Sequence, residues 1–361
     1  MLYLQTENLM NGMNLARDLH FFDVATKQPV VLRAGKSITG EDIGLLRRAN
    51  IDGAYVLNVA KSVRFSGSVN DEIREEAVKD IERIAEIFAK NPNDIRREDI
   101  DHAGETAFKL IDSIHGSSDI LVNIDNLKAY DDYTFHHSLC VAVLSIAIGM
   151  ELGFNDKRQM ELGLCGMLHD IGKTHIPVDI ITKPDKLTAD EFNIVKQHPV
   201  EAAEIIFKKG IISNDVYSGI LSHHERFDGS GYPNHLAGKS IPIFGRILAV
   251  ADVFDALTSS RSYRTASTPS EAVEYIMGGM GTHFDEEIVK AFLKKVAPYP
   301  IGTVVLLNTG ERAVVLQNNL TWPLRPVLAS LDKEAVYDLY NDHRLLKVVI
   351  VKALHEDTQA G

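Results

Sequence analysis

Two stretches decide the reading of this 361-residue chain: His169-Asp170-Ile171-Gly172-Lys173 and His223-His224-Glu225-Arg226-Phe227-Asp228-Gly229-Ser230-Gly231-Tyr232-Pro233. The first joins an imidazole to a carboxylate and the second sets two imidazoles side by side, ligand types that divalent metals take from proteins. A single pair of this kind is more often a surface accident or a satisfied hydrogen bond, so the weight lies in accumulation. Upstream, His137 is in phase with Val141, Leu144 and Ile148, which puts it on the buried face of a helix. Alone it reads as a core histidine. Between the two stretches, Thr188-Ala189-Asp190-Glu191 reads as a capping box opening a helix whose last turn carries His198, with Pro199 as its stop. Downstream, Arg246 to Ser259 reads as a helix on which Leu248, Asp252, Asp255 and Ser259 share one face. Two carboxylates on an otherwise apolar helix are costly to bury without a cation, which favours a metal or a basic partner over a solvated edge.

In this order, His137, His169-Asp170, Lys173, His198, His223-His224, the Asp228-Gly229-x-Gly231-Tyr232-Pro233 run and Asp252 resemble the HD-GYP family, a bacterial branch of the HD-domain metal-dependent phosphohydrolases. The likeness extends through Asp255-Ala256-Leu257-Thr258-Ser259, Arg261-Ser262-Tyr263-Arg264 and Gly281-Thr282-His283-Phe284-Asp285. It implies a mainly α fold with an all-helical HD-type domain. It also implies hydrolysis of cyclic di-GMP to linear pGpG and then GMP by a metal-activated hydroxide on a dinuclear centre. By the same resemblance Asp170 bridges two divalent ions, His137, His169 and Asp252 complete one site, and His198, His223 and His224 complete the other. Iron or manganese is the first choice carried over from the family, with nickel and zinc also suited to nitrogen and oxygen ligands without thiolate.

The chemistry is coherent without the name. A phosphodiester is anionic and repels hydroxide, so its cleavage needs a nucleophile made at neutral pH and neutralisation of the non-bridging oxygens; two metals about 3.5 to 4 Å apart supply both. Asp170 and Lys173 are the expected catalytic residues, and Lys173, Arg261, Arg264, Asp255 and Tyr232 the expected substrate contacts. Each basic residue also has a plainer reading: a surface lysine where a helix ends at Gly172, and arginines complementing a helix dipole. Tyr232 lies in a Gly, Pro, Asn and Ser-rich loop from Glu225 to Ile241, which either caps the site, touches substrate or docks a signalling partner. Some relatives hold a third ion with a glutamate one helical turn before the first ligand histidine. That position is Tyr133 here, a phenol protonated at neutral pH, and Asp131 and Asp132 fall off the His137 face, so two metals are expected.

With 45% hydrophobic and 24% charged residues the chain can build a large core and smaller satellites. Its net charge of -12 argues against nucleic-acid or anionic-membrane binding, so an anionic dinucleotide must be captured locally. The most apolar run, Leu139 to Met150, is too short to span a bilayer, and Cys140 and Cys165 sit in apolar runs that fit small hydrophobes in a reducing cytosol. A cytoplasmic protein is expected. Residues 1–65 read as a small α+β regulatory module, 66–120 as a helical linker, 121–298 as the HD-GYP domain and 299–361 as a small β-rich module with a hairpin turn at Asn308-Thr309-Gly310. Within the linker, residues 70–90 form an amphipathic helix that either packs on the core or serves a homodimer or signal relay, the second being taken. Rival functions are hydrolysis of cyclic GMP-AMP or another nucleotide, and an idle cyclic dinucleotide receptor. The complete ligand series favours an enzyme.

Overall fold

The computed structural model describes residues 2–6, 13–23, 28–49, 53–57, 71–115, 133–183, 185–259, 267–299, 301–319, 321–333 and 335–354, together with Leu9 and Ile51. It divides into two compact units, residues 67–296 and, together, residues 1–66 and 297–361.

The second of these is the β-containing unit. Strands β1 (Leu2–Gln5), β5 (Gly53–Leu57) and β2 (Asn14–Leu15) form an antiparallel sheet in the order β1-β5-β2, and β3 (Leu19–Asp23) pairs with β4 (Gln28–Leu32). Helix α1 (Gly40–Arg48) opens on Thr39, whose side chain accepts from the Asp42 N–H while Asp42 caps back. From the carboxyl-terminal end, β6 (Val304–Leu307), β7 (Arg312–Gln317), β8 (Val327–Ser330), β9 (Val336–Asp338) and β10 (Ile350–Leu354) make an antiparallel sheet in the order β10-β6-β7-β8-β9. Gly310, at φ 82°, makes the turn between β6 and β7. Alternation along β7 sends Val314 and Leu316 to a core shared with Met13, Leu15 and Leu46, and Ala313 and Val315 to the opposite face with Leu307 and Leu328. The two flanking segments therefore bury apolar surface on each other.

The helical unit begins with α2 (Asp71–Lys90) and α3 (Arg97–His115). Ala77, Ile81, Ile84, Ala85 and Phe88, the apolar face of α2, are all buried. They pack against α3, against α4 (Tyr133–Glu151) and against a 3₁₀ turn at Ile171–His175. This corrects the sequence expectation: the face offered for dimerisation is covered by the same chain, because its apolar stripe is matched by that of α3. Helix α4 is the axis of the unit, buried without interruption from Cys140 to Ile148 and flanked by α5 (Asp156–Leu168) and α10 (Ile243–Thr258). Between α5 and α10 come α6 (Val178–Ile181), α7 (Ala189–Val195), α8 (His198–Lys208) and α9 (Asn214–Ser222); α11 (Pro269–Gly278) and α12 (Glu286–Leu293) follow. The Thr188 capping box opens α7 as the sequence indicates. That helix ends at Val195, however, and His198 starts the next one. Pro199 is an initiator here, since a proline in a first turn forfeits no intrahelical hydrogen bond. Among the described residues no helix is long and apolar enough to cross a membrane.

Candidate metal centre

Helix ends build the centre. His169 follows α5 and its Nδ1–H donates to the Gly166 carbonyl at 2.8 Å; His223 follows α9 and donates to Ile220 O at 2.6 Å. His198 donates to Val195 O, at the end of α7, at 2.7 Å. In each case the ring satisfies a carbonyl left over where a helix stops. A carbonyl can only accept, so Nδ1 carries the proton and Nε2 presents a lone pair.

The lone pairs of His169, His198 and His223 converge on Asp170, and His137 Nε2 lies beside them. His137 Nε2 lies 3.6 Å and His169 Nε2 3.4 Å from Asp170 Oδ2, whereas His198 Nε2 lies 3.3 Å and His223 Nε2 3.9 Å from Oδ1. The His198 and His223 Nε2 atoms are themselves 3.4 Å apart. His169 Nε2 and Asp170 Oδ1 are buried and make no hydrogen bond. Acceptors held this close with no proton between them repel unless a cation sits among them, so the residues fit a divalent metal centre. Two groups satisfy ligand spacing, Asp170 with His198, His223 and His224, and His137 with His169 and Asp252. Gly172 makes the approach possible, because a Cβ there would collide with the His198 carbonyl oxygen.

The electrostatics agree. Burial opposes ionisation of Asp170 and Asp252, yet the imidazoles around both, with the Lys173 ammonium beside Asp170 and a hydrogen bond from His137 to Asp252, hold each well below the usual carboxylate range. Burial pushes His224 down to about 3 and His223 down as well, so both are neutral at pH 7. Burial also disfavours a charged His137, but hydrogen bonds to Asp252 and Asp255 outweigh it and raise the ring to about 9. Ionised carboxylates beside neutral His223 and His224 are the protonation states that metal ligands need, and the Nε2 proton of His137, held between the ring and Asp252, is the one a metal would displace.

The other expected site residues divide. Lys173 Nζ sits 2.6 Å from Asp170 Oδ2 with its side chain 29% exposed, at the edge of the centre. The Tyr232 ring lies against His224 at 4.8 Å. Arg261 and Arg264 lie outside the described residues, as do Asp131, Asp132 and the side chain of Tyr133. Asp255 is corrected: it is fully buried and accepts from His137 Nδ1 at 2.6 Å, so it has no edge to offer a substrate and instead orients a ligand. Cys165 is buried and donates to Val216 O, away from the ligand cluster. Sequence reasoning missed Glu225, which is buried and accepts from the Asn234 and Leu236 N–H groups, stapling the loop that carries Tyr232. A Cβ on Gly231 would strike the Arg226 nitrogen and Glu225 Cα, so this fold of the loop requires glycine. The His-His-Glu order held the only signal for Glu225.

A prediction follows for Asp255. Asp255→Asn should lower metal affinity and turnover about 10- to 100-fold with KM little changed, because the charged acceptor that fixes the His137 tautomer is gone. Metal titration with steady-state kinetics checks it; a rise confined to KM would return Asp255 to substrate contact.

Residues 122–288 match the HD domain family. This segment is an HD domain. Over 221 residues, 61% of the chain and 53% of the relative, the chain is 39% identical to a cyclic di-GMP phosphodiesterase of Pseudomonas aeruginosa. Over 166 residues, 45% of the chain and 37% of the relative, it is 37% identical to 3'3'-cGAMP-specific phosphodiesterase 1 of Vibrio cholerae. The chain therefore spans about half the length of the first relative and less of the second. An HDG"Y"P protein from Bdellovibrio bacteriovorus shares the fold at 20% identity, with a TM-score of 0.51 over 81% of this chain and 97% of that one. The HD-GYP recognition of the sequence and its mainly helical fold class are borne out.

Proposed function

We propose that the protein is a cytoplasmic, metal-dependent phosphodiesterase that opens cyclic di-GMP to pGpG and GMP. One observation carries the reading: the two oxygens of Asp170 face two separate ligand groups, an arrangement suited to a carboxylate shared by two ions. Bound there, a divalent pair, iron or manganese by preference, supplies a nucleophile at neutral pH and neutralises phosphate charge. The chain's own groups do the rest. His137, His169 and Asp252 hold one ion, and His198, His223 and His224 the other. Lys173 offers an ammonium to a non-bridging phosphate oxygen, and Arg261 and Arg264 are further phosphate contacts. The surrounding apolar helices exclude water and strengthen each of these interactions. A signalling partner at the Tyr232 loop remains part of the proposal. A homodimer through the 70–90 helix would have to use that helix's polar, exposed face.

The cGAMP-specific relative favours a second substrate reading. Product chromatography distinguishes them: manganese- or iron-reconstituted protein under anaerobic, reducing conditions should convert cyclic di-GMP to pGpG and GMP faster than it converts cyclic GMP-AMP. Faster turnover of cyclic GMP-AMP would reassign the substrate, and tight binding without turnover would make the protein a receptor.

A further inference from the structure

A cavity of about 440 Å³ opens beside the metal ligands and shares His223 and His224 with them. That volume falls within the range of about 300 to 1,000 Å³ usual for small-molecule sites. Its lining is aromatic. From His224 the rings continue to Tyr232, 4.8 Å away, and from Tyr232 to Phe192, 6.2 Å away and edge-on at 81°. Tyr275 lines the same cavity. Phe192 and Tyr275 are 46% and 49% exposed, two large rings left half in water on the wall of one cavity. Arg226 also lines the cavity, and among the described residues its guanidinium makes no hydrogen bond or ion pair, whereas the nearby Ser230 hydroxyl is already committed to Asp228 at 2.6 Å.

We propose that this cavity takes one nucleobase of the substrate, with Phe192 and Tyr275 covering its faces and Arg226 reading its edge. The inference rests on the cyclic dinucleotide reading, since a base must lie within reach of a phosphate held at His223 and His224. Flat aromatic groups half in water next to a phosphate-binding centre are what a purine can cover, and each base has a π-face to stack. The guanidinium selects among bases. Guanine presents O6 and N7 as adjacent acceptors that match its two-pronged donor, while adenine places an amino donor where O6 would be. Guanine is therefore preferred, and Arg226 is the specificity-determining residue.

Binding of GMP, AMP and ribose 5-phosphate to the manganese-loaded full chain, measured by titration calorimetry, tests this. GMP should bind at least about ten-fold more tightly than ribose 5-phosphate, the difference being the base. Phe192→Ala and Tyr275→Ala should each weaken GMP about five-fold or more, the usual loss when one stacking ring is removed, and leave ribose 5-phosphate unchanged. Arg226→Gln should narrow the gap between GMP and AMP. Equal affinity for GMP and ribose 5-phosphate in the unmodified protein would overturn the subsite, as would variants that weaken both ligands alike. Base-dependent GMP binding without turnover of cyclic di-GMP would support the subsite and sink the phosphodiesterase reading instead.

Discussion

Asp170→Ala is expected to lose metal and activity together. The carboxylate is buried, and its two oxygens face His137 and His169 on one side and His198 and His223 on the other. Removing it takes one ligand from each group at once and leaves five imidazoles and Asp252 to hold like-charged ions alone. Turnover should fall on the order of 10³-fold or more, and elemental analysis should find the metal depleted. The fold should survive, since Asp170 follows α5 and its side chain makes no cap hydrogen bond to the turn it begins. Circular dichroism would register that. A variant with a full metal complement and normal turnover would sink the bridging role.

Lys173→Ala separates phosphate recognition from metal binding. Lys173 reaches Asp170 Oδ2 at 2.6 Å yet keeps 29% of its side chain in solvent, so its ammonium stands between the centre and whatever approaches it. The 3₁₀ turn that carries it is held by His175, which lies 3.0 Å from Phe88 O on α2 and 3.2 Å from Glu201. The lysine is thus positioned by packed structure rather than left at large. Loss of one charge-stabilising donor should reduce kcat/KM by on the order of 10², with metal content intact. Unchanged kinetics would make it an ordinary surface lysine. Coupled loss of metal would mean that it stabilises Asp170 rather than substrate.

The residues of the candidate centre were legible as ordered His-Asp and His-His pairs and as a carboxylate on an apolar helix, while their places at helix ends come from the structure. His169 and Asp170 close a helix, His223 and His224 close another, and Asp252 lies on an apolar helix where a carboxylate stands out. What stayed hidden depended on which helices cross. Asp252 and Asp255 share a face of α10, and only the packing of that helix on α4 assigns the first to the ligand cluster and the second to His137 Nδ1. Pro199 has two opposite local meanings, helix stop and helix start, and the pattern around His198 does not choose between them. The apolar stripe of α2 looks the same whether it meets another chain or α3. Likewise, the continuous apolar run Ala313 to Leu316 announces a strand buried on both faces, but not that Val314 and Leu316 meet Met13 and Leu15 from the other end of the chain. Contacts of that sequence separation leave no local signature.

Titration of activity against metal bears most directly on the dinuclear centre. Metal-stripped protein should be reloaded anaerobically with manganese or iron, and cyclic di-GMP hydrolysis followed against equivalents bound per chain. Activity should stay low through the first equivalent, rise steeply with the second and level off at two. Full activity at one equivalent, a requirement for three, or turnover indifferent to metal would contradict a centre bridged by Asp170.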